Sequence, residues 1–116
     1  MEQPTTIEDL CSEMHQFVTE RHWERYHTPK NLAMSITIEA AELMEHFQWL
    51  TQEQSVDLIT EDPGRSEVID ELADILLYCL SFVHIVDVDI SSAILDKLER
   101  NKGRYPIGTM PTEDEV

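Results

Sequence analysis

The stretch from residue 67 to residue 86 restricts the fold more than any other part of the chain. Its polar positions Asp70, Glu71, Asp74, Tyr78 and Ser81 recur at spacings of three and four, forming one narrow stripe on an otherwise apolar helical cylinder. A helix of that kind is buried almost all round. A chain of 116 residues has room for one core, and a single bundle leaves an outer face on every helix. Covering this helix therefore requires a second copy, and an obligate oligomer is expected.

The remaining segments read as further helices. Thr6, with Asp9 three residues later, makes a capping arrangement, and Ile7, Leu10, Cys11, Met14, Phe17 and Val18 follow at helical spacing, which predicts a helix over 7–23. Pro29 disfavours helical geometry in the residue before it, so 26–31 reads as a break, with Asn31 capping a helix over 32–47. That second helix is apolar around nearly its whole circumference, interrupted by Glu39 and Glu42. A short helix over 53–59 and a turn at Glu61-Asp62-Pro63-Gly64 lead into the striped helix. A last helix begins after Asp87-Val88-Asp89, packs Ile90, Ile94 and Leu98 inward and frays near Gly103. Short connections between helices define an all-α four-helix bundle as one domain over 1–108, with 109–116 a disordered tail.

Two acidic pairs carry the chemistry. Carboxylates three residues apart share one helical face, so Glu39-x-x-Glu42 and Glu71-x-x-Asp74, on facing helices, can converge on one hard cation. Either pair alone is common on a solvated face of a chain this acidic. The apolar setting separates these two from that background, because uncompensated burial of ionised carboxylates costs several kcal/mol each. Magnesium suits four such oxygens together with water and phosphate. Glu45 and Asp70 flank the stripes and read as solvated charges. No residue is singled out as general base.

Charge narrows the partners. The 24 acidic residues against 8 basic ones give a net charge of -16, which repels nucleic acid. A small polyanion can still bind where cations reverse the local sign. Lys97, Arg100, Lys102 and Arg104 crowd the end of the last helix, and Lys97, Asn101 and Arg104 share one face. Arg100 and Lys102 are equally well explained as cations complementing a helix C-terminus. The longest apolar stretch, 75–86, is too short to span a bilayer, and the residues at Met1-Glu2-Gln3-Pro4 lack the features of a signal peptide. No membrane partner is expected. Cys11 and Cys79, with no paired spacing, read as reduced core thiols, which suits a cytoplasmic setting.

Trp23, His27, Trp49 and Tyr78 fall at helix ends or on the polar stripe, where planar rings can sandwich a nucleobase. His15, His22, His46 and His84 show no metal-ligand spacing and read as surface or packing residues, His15 being the most arguable.

Taken together, from about Thr6 to Pro106, the chain resembles the MazG-like all-α nucleoside triphosphate pyrophosphatases, and their dCTP pyrophosphatase branch in particular. The resemblance is carried by EAAELMEHFQW, DELADILLYCL and WERYHTPKN. It implies that Glu39, Glu42, Glu71 and Asp74 ligate magnesium, and that Trp23, His27, Trp49 and Tyr78 form the nucleotide pocket. It further implies that Lys97, Asn101 and Arg104 approach the phosphates. The implied reaction is cleavage between the α and β phosphates of dCTP or related dNTPs, by a metal-activated water, in the service of nucleotide-pool cleansing. The implied assembly is an intertwined homo-oligomer, a tetramer favoured over a dimer. One departure is visible: the histidine of the family's base-contacting face on the first helix is displaced, with Met14 or His15 in that neighbourhood.

Two other readings compete. A di-iron carboxylate bundle needs two E-x-x-H motifs projecting inward, and only Glu24-x-x-His27, at a helix end, fits. A non-catalytic oligomeric adaptor would use the same buried helices for assembly alone.

Overall fold

A computed structural model describes residues 5–108, so the features expected at 1–4 and the tail at 109–116 lie outside the described residues. Those described form five α-helices and one 3₁₀ turn, with no strand: α1 (Ile7–Glu20), the turn Glu24–Tyr26, α2 (Pro29–Glu45), α3 (Gln52–Leu58), α4 (Gly64–Val86) and α5 (Ile90–Arg104).

Local chemistry explains the boundaries. Thr6 Oγ1 accepts from the Asp9 N–H and Asp9 Oδ2 accepts from the Thr6 N–H, each at 3.1 Å, a reciprocal cap that starts α1 where expected. α1 stops at Glu20 rather than near residue 23, because His22 takes a left-handed conformation (φ 56°) and the Trp23 N–H reaches back to the Val18 carbonyl at 3.0 Å. α2 starts earlier than expected. Pro29 is its first residue, where a missing N–H costs nothing, and Thr28 rather than Asn31 is the cap. Asn31 instead donates from its side chain to the Tyr26 carbonyl at 3.0 Å. α4 begins at Gly64, its first turn tied by Asp62 Oδ1 to the Ser66 N–H and hydroxyl at 3.1 and 2.6 Å.

α4 is the axis of the molecule, packed mainly against α2 and secondarily against α1. It is not enclosed by the rest of the described residues. Ile69, Leu72, Leu76, Leu77 and Ile85 on α4 are 41–53% exposed, and among the described residues the buried apolar side chains are Met14, Val18 and Leu32. The expected inward packing of α5 is also not found within the protomer, where Ile94 and Leu98 are 45% and 49% exposed. The reason is direction: Asp87 caps α4 in the left-handed region (φ 58°), and α5 leaves at 102° to α4. The chain exposes 9257 Å², where a compact monomer of 13.5 kDa exposes about 6500 Å². No single helix is long and apolar enough to cross a membrane.

Candidate active site

The packing of α2 on α4 brings the acidic pairs together. One oxygen each from Glu39, Glu42 and Glu71 lies within 4.8 Å of the others. Asp74, one turn beyond Glu71, is close enough for its charge to act on both Glu39 and Glu71. Burial, then pairing with Glu42, then the charges of Asp74 and Glu71 push the Glu39 carboxyl up to about 6. Burial first, then Glu42, raises Glu71 as well, partly offset by His46. The geometry leaves two buried oxygens, Glu39 Oε2 and Glu71 Oε2, without a hydrogen-bond partner. Neighbouring acids of this kind, two of them with an unpartnered buried oxygen, could hold a divalent cation.

A cleft of about 290 Å³ adjoins these acids, with Glu39 and Asp74 in its wall and Met14, Trp23, His27 and Tyr78 around the rest. Trp23 packs edge-on against Phe17 with ring centroids 5.6 Å apart, and the His27 and Tyr78 rings face one another at 6.3 Å. The tight end of α1 and the cap on Thr28 hold Trp23 and His27 in place. Burial lowers the pKa of His27, which favours the neutral ring with its one donor and one acceptor.

Seven of the anticipated residues are thus gathered: Glu39, Glu42, Glu71, Asp74, Trp23, His27 and Tyr78. The other four do not line this cleft within one protomer. Trp49 stands 86% exposed in the turn after α2, and Lys97, Asn101 and Arg104 ride on α5, which is directed away. Glu45 and Asp70 are exposed. Of the two residues anticipated near the base on α1, Met14 lines the cleft and His15 does not.

Sequence reading missed His46, whose Nε2 lies 3.9 Å from Glu71 Oε1. Its signal was the four-residue step from Glu42, which places it on the same face of the α2 end. Also missed was a second hollow behind His27, where His15 stacks on His84 with centroids 3.8 Å apart.

The class defined by this geometry is an all-helical domain that presents a carboxylate cluster able to hold a cation beside an aromatic cleft. Residues 34–115 match the MazG-like family. The chain is 35% identical over 102 residues to bovine (Bos taurus) dCTP pyrophosphatase 1, covering 88% of this chain and 60% of that protein. It is 35% identical over 101 residues to the human (Homo sapiens) dCTP pyrophosphatase 1, covering 87% and 59%. It thus spans about 60% of the length of the curated relatives it matches. A crystal structure of a pyrophosphatase from Archaeoglobus fulgidus DSM 4304 superposes with a TM-score of 0.81 at 36% identity, covering 91% of this chain and 97% of that one. The chain belongs to the MazG-like family.

Proposed function

We propose that this chain hydrolyses nucleoside triphosphates, with dCTP and related deoxynucleotides preferred, to the nucleoside monophosphate and pyrophosphate. The observation that carries the reading is the placement of the Glu39–Glu42–Glu71 cluster beside an aromatic cleft of about 290 Å³, with Glu39 common to both. The relatives named dCTP pyrophosphatase 1 supply the preferred base.

The donor set fits Mg²⁺, because its atoms are hard carboxylate oxygens and two of them are buried without a partner. Glu39, Glu42, Glu71 and Asp74 would hold the ion. When bound, it offsets the negative charge of the phosphates and makes a coordinated water more acidic. The side chains of the chain do the positioning. Trp23 and Tyr78 present ring faces to the base, and His27, held neutral, offers it a donor or an acceptor. Water adds to the α-phosphorus and gives up a proton to solvent, the bond from that phosphorus to the bridging oxygen breaks, and pyrophosphate leaves with the electron pair. The apolar walls at Met14 and Phe17 limit competing solvent around the sugar and base.

The active assembly in this reading is a homo-oligomer, tetramer favoured over dimer, built on one catalytic domain over 1–108. Two features support it: the uncovered apolar face of α4, and the cations of α5, which a second copy would bring to the phosphates through Lys97, Asn101 and Arg104. Trp49, 86% exposed, would close the base pocket from across the same interface. Cys11 and Cys79 are both free thiols whose pKa values are raised by burial, consistent with a reducing, cytoplasmic setting and a housekeeping role on the nucleotide pool.

The test is pyrophosphate release across the canonical dNTPs and NTPs, with magnesium and with a chelator, the nucleotide product being identified by chromatography. Monophosphate and pyrophosphate formed only with magnesium, dCTP leading, is the expected result. No release from any nucleotide would overturn the reading.

A further inference from the structure

Behind His27 lies a second cavity of about 160 Å³ between α1 and α4, walled by Val18 and Ile85, by the polar side chains of His15, His27, Ser81 and His84, and by Glu24 of the 3₁₀ turn at its edge. His27 is shared with the aromatic cleft, so the two spaces adjoin. Ser81 is 7% exposed, and its Oγ is buried without any hydrogen-bond partner. That is unusual for a hydroxyl inside a helix, which ordinarily bonds the carbonyl four residues back. Thr19 and Thr37 do so in this chain, to His15 and Ala33 at 2.7 and 3.0 Å. The Ser81 hydroxyl instead keeps both its donor and its acceptor capacity unused at the wall of a cavity. The His27 Nδ1, likewise buried, has no partner either.

Position along α4 says what those groups face. At 1.5 Å per residue, Ser81 lies about 10 Å beyond Asp74 along the helix axis, with Tyr78 between them. A nucleotide with its phosphates at the carboxylates and its base beside Tyr78 therefore brings the far edge of the base to the level of Ser81. Resting on the pyrophosphohydrolase reading, we propose that this cavity is a base-reading subsite. In it the Ser81 hydroxyl accepts a hydrogen bond from the exocyclic amino group of the nucleobase, and the stacked His15 and His84 rings close the space behind it. The Ser81 hydroxyl then gains a partner when a base is bound, as a buried polar group requires.

The experiment is a cycle of one protein edit and one ligand edit. Wild type and Ser81→Ala are each assayed with dCTP and with the triphosphate of the 2-pyrimidinone deoxynucleoside, which lacks the exocyclic amino group. Wild type should lose about tenfold in kcat/KM with the edited ligand, and Ser81→Ala should lose almost nothing further, the two edits being strongly non-additive. The thermal midpoint without ligand should stay unchanged or rise in Ser81→Ala, because an unpartnered buried hydroxyl has been removed, whereas a structural serine would lower it. Additive losses, or a lowered midpoint with unaltered discrimination, would overturn this subsite while leaving the hydrolysis intact. Failure to release pyrophosphate from any nucleotide would overturn the reading of the reaction and this subsite with it.

Discussion

The carboxylate of Glu39 on α2 lies within 4.8 Å of that of Glu71 on α4, and each keeps one buried oxygen with no partner. Two like charges so placed oppose folding unless a proton or a cation intervenes.

The first consequence concerns pH. Because the Glu39 carboxyl is raised to about 6 in the fold, the folded state holds a proton that the unfolded chain releases at the ordinary carboxylate value. That stabilisation is fully present below about pH 4.5 and is lost as pH rises through about 6. Asp62 and Asp89, both held low by hydrogen bonds from serines, act in the opposite sense and only at more acidic pH. Metal-free protein should therefore show a thermal midpoint that falls between pH 4.5 and 7, and Glu39→Gln should flatten that slope. A midpoint that rises across the interval would contradict the assignment.

Removing the acids should abolish turnover without unfolding the chain. Glu39→Gln, Glu42→Gln, Glu71→Gln and Asp74→Asn are each expected to lose more than about a hundredfold in kcat, with circular dichroism unchanged. Chelation should reproduce the loss in the wild type, and added magnesium should restore it there only. An adaptor would show no such dependence.

Gly64 should not tolerate a side chain. A Cβ there would lie 2.5 Å from the Leu58 carbonyl oxygen and 2.6 Å from Leu58 Cδ1, at the point where α4 leaves α3. In an open helix Gly→Ala gains up to about 1 kcal/mol. Here Gly64→Ala is expected to lose about 1–3 kcal/mol through overpacking, measured by urea denaturation.

The cations of α5 provide a test of shared sites. Lys97→Ala and Arg104→Ala should raise KM for the triphosphate. Mixing an inactive Glu39→Gln protein with an inactive or weakened Arg104→Ala protein should recover part of the turnover, since mixed assemblies would contain some intact combinations. Absence of recovery after subunit exchange has been verified would show that the α5 cations do not complete another copy's site, and an unchanged KM in both variants would place them outside the reaction.

Much of the site was legible because its information is local. Glu39, Glu42, Glu71 and Asp74 need only helical periodicity to share faces, and α2 and α4 are helical there. Trp23, His27 and Tyr78 flank the same segments. What could not be read depends on single backbone torsions or on contacts across elements. His22 and Asp87, both left-handed, decide where α1 ends and where α5 points, and nothing in the hydrophobic pattern announces them. Trp49 lies in a turn with no period to place it. His46 reads as a surface or packing residue and Ser81 only as one position of the polar stripe, because Glu71 beside the one and the cavity beside the other come from packing between elements.

In the proposed oligomer, the small interior described above, with Met14, Val18 and Leu32 the buried apolar side chains among the described residues, makes dilution a variable of state. When most of the apolar burial is supplied by another molecule, folding and association share one equilibrium, and mass action enters the melting point. The midpoint should climb with protein concentration, and at sufficient dilution the separated chains should lose their helices together with their activity.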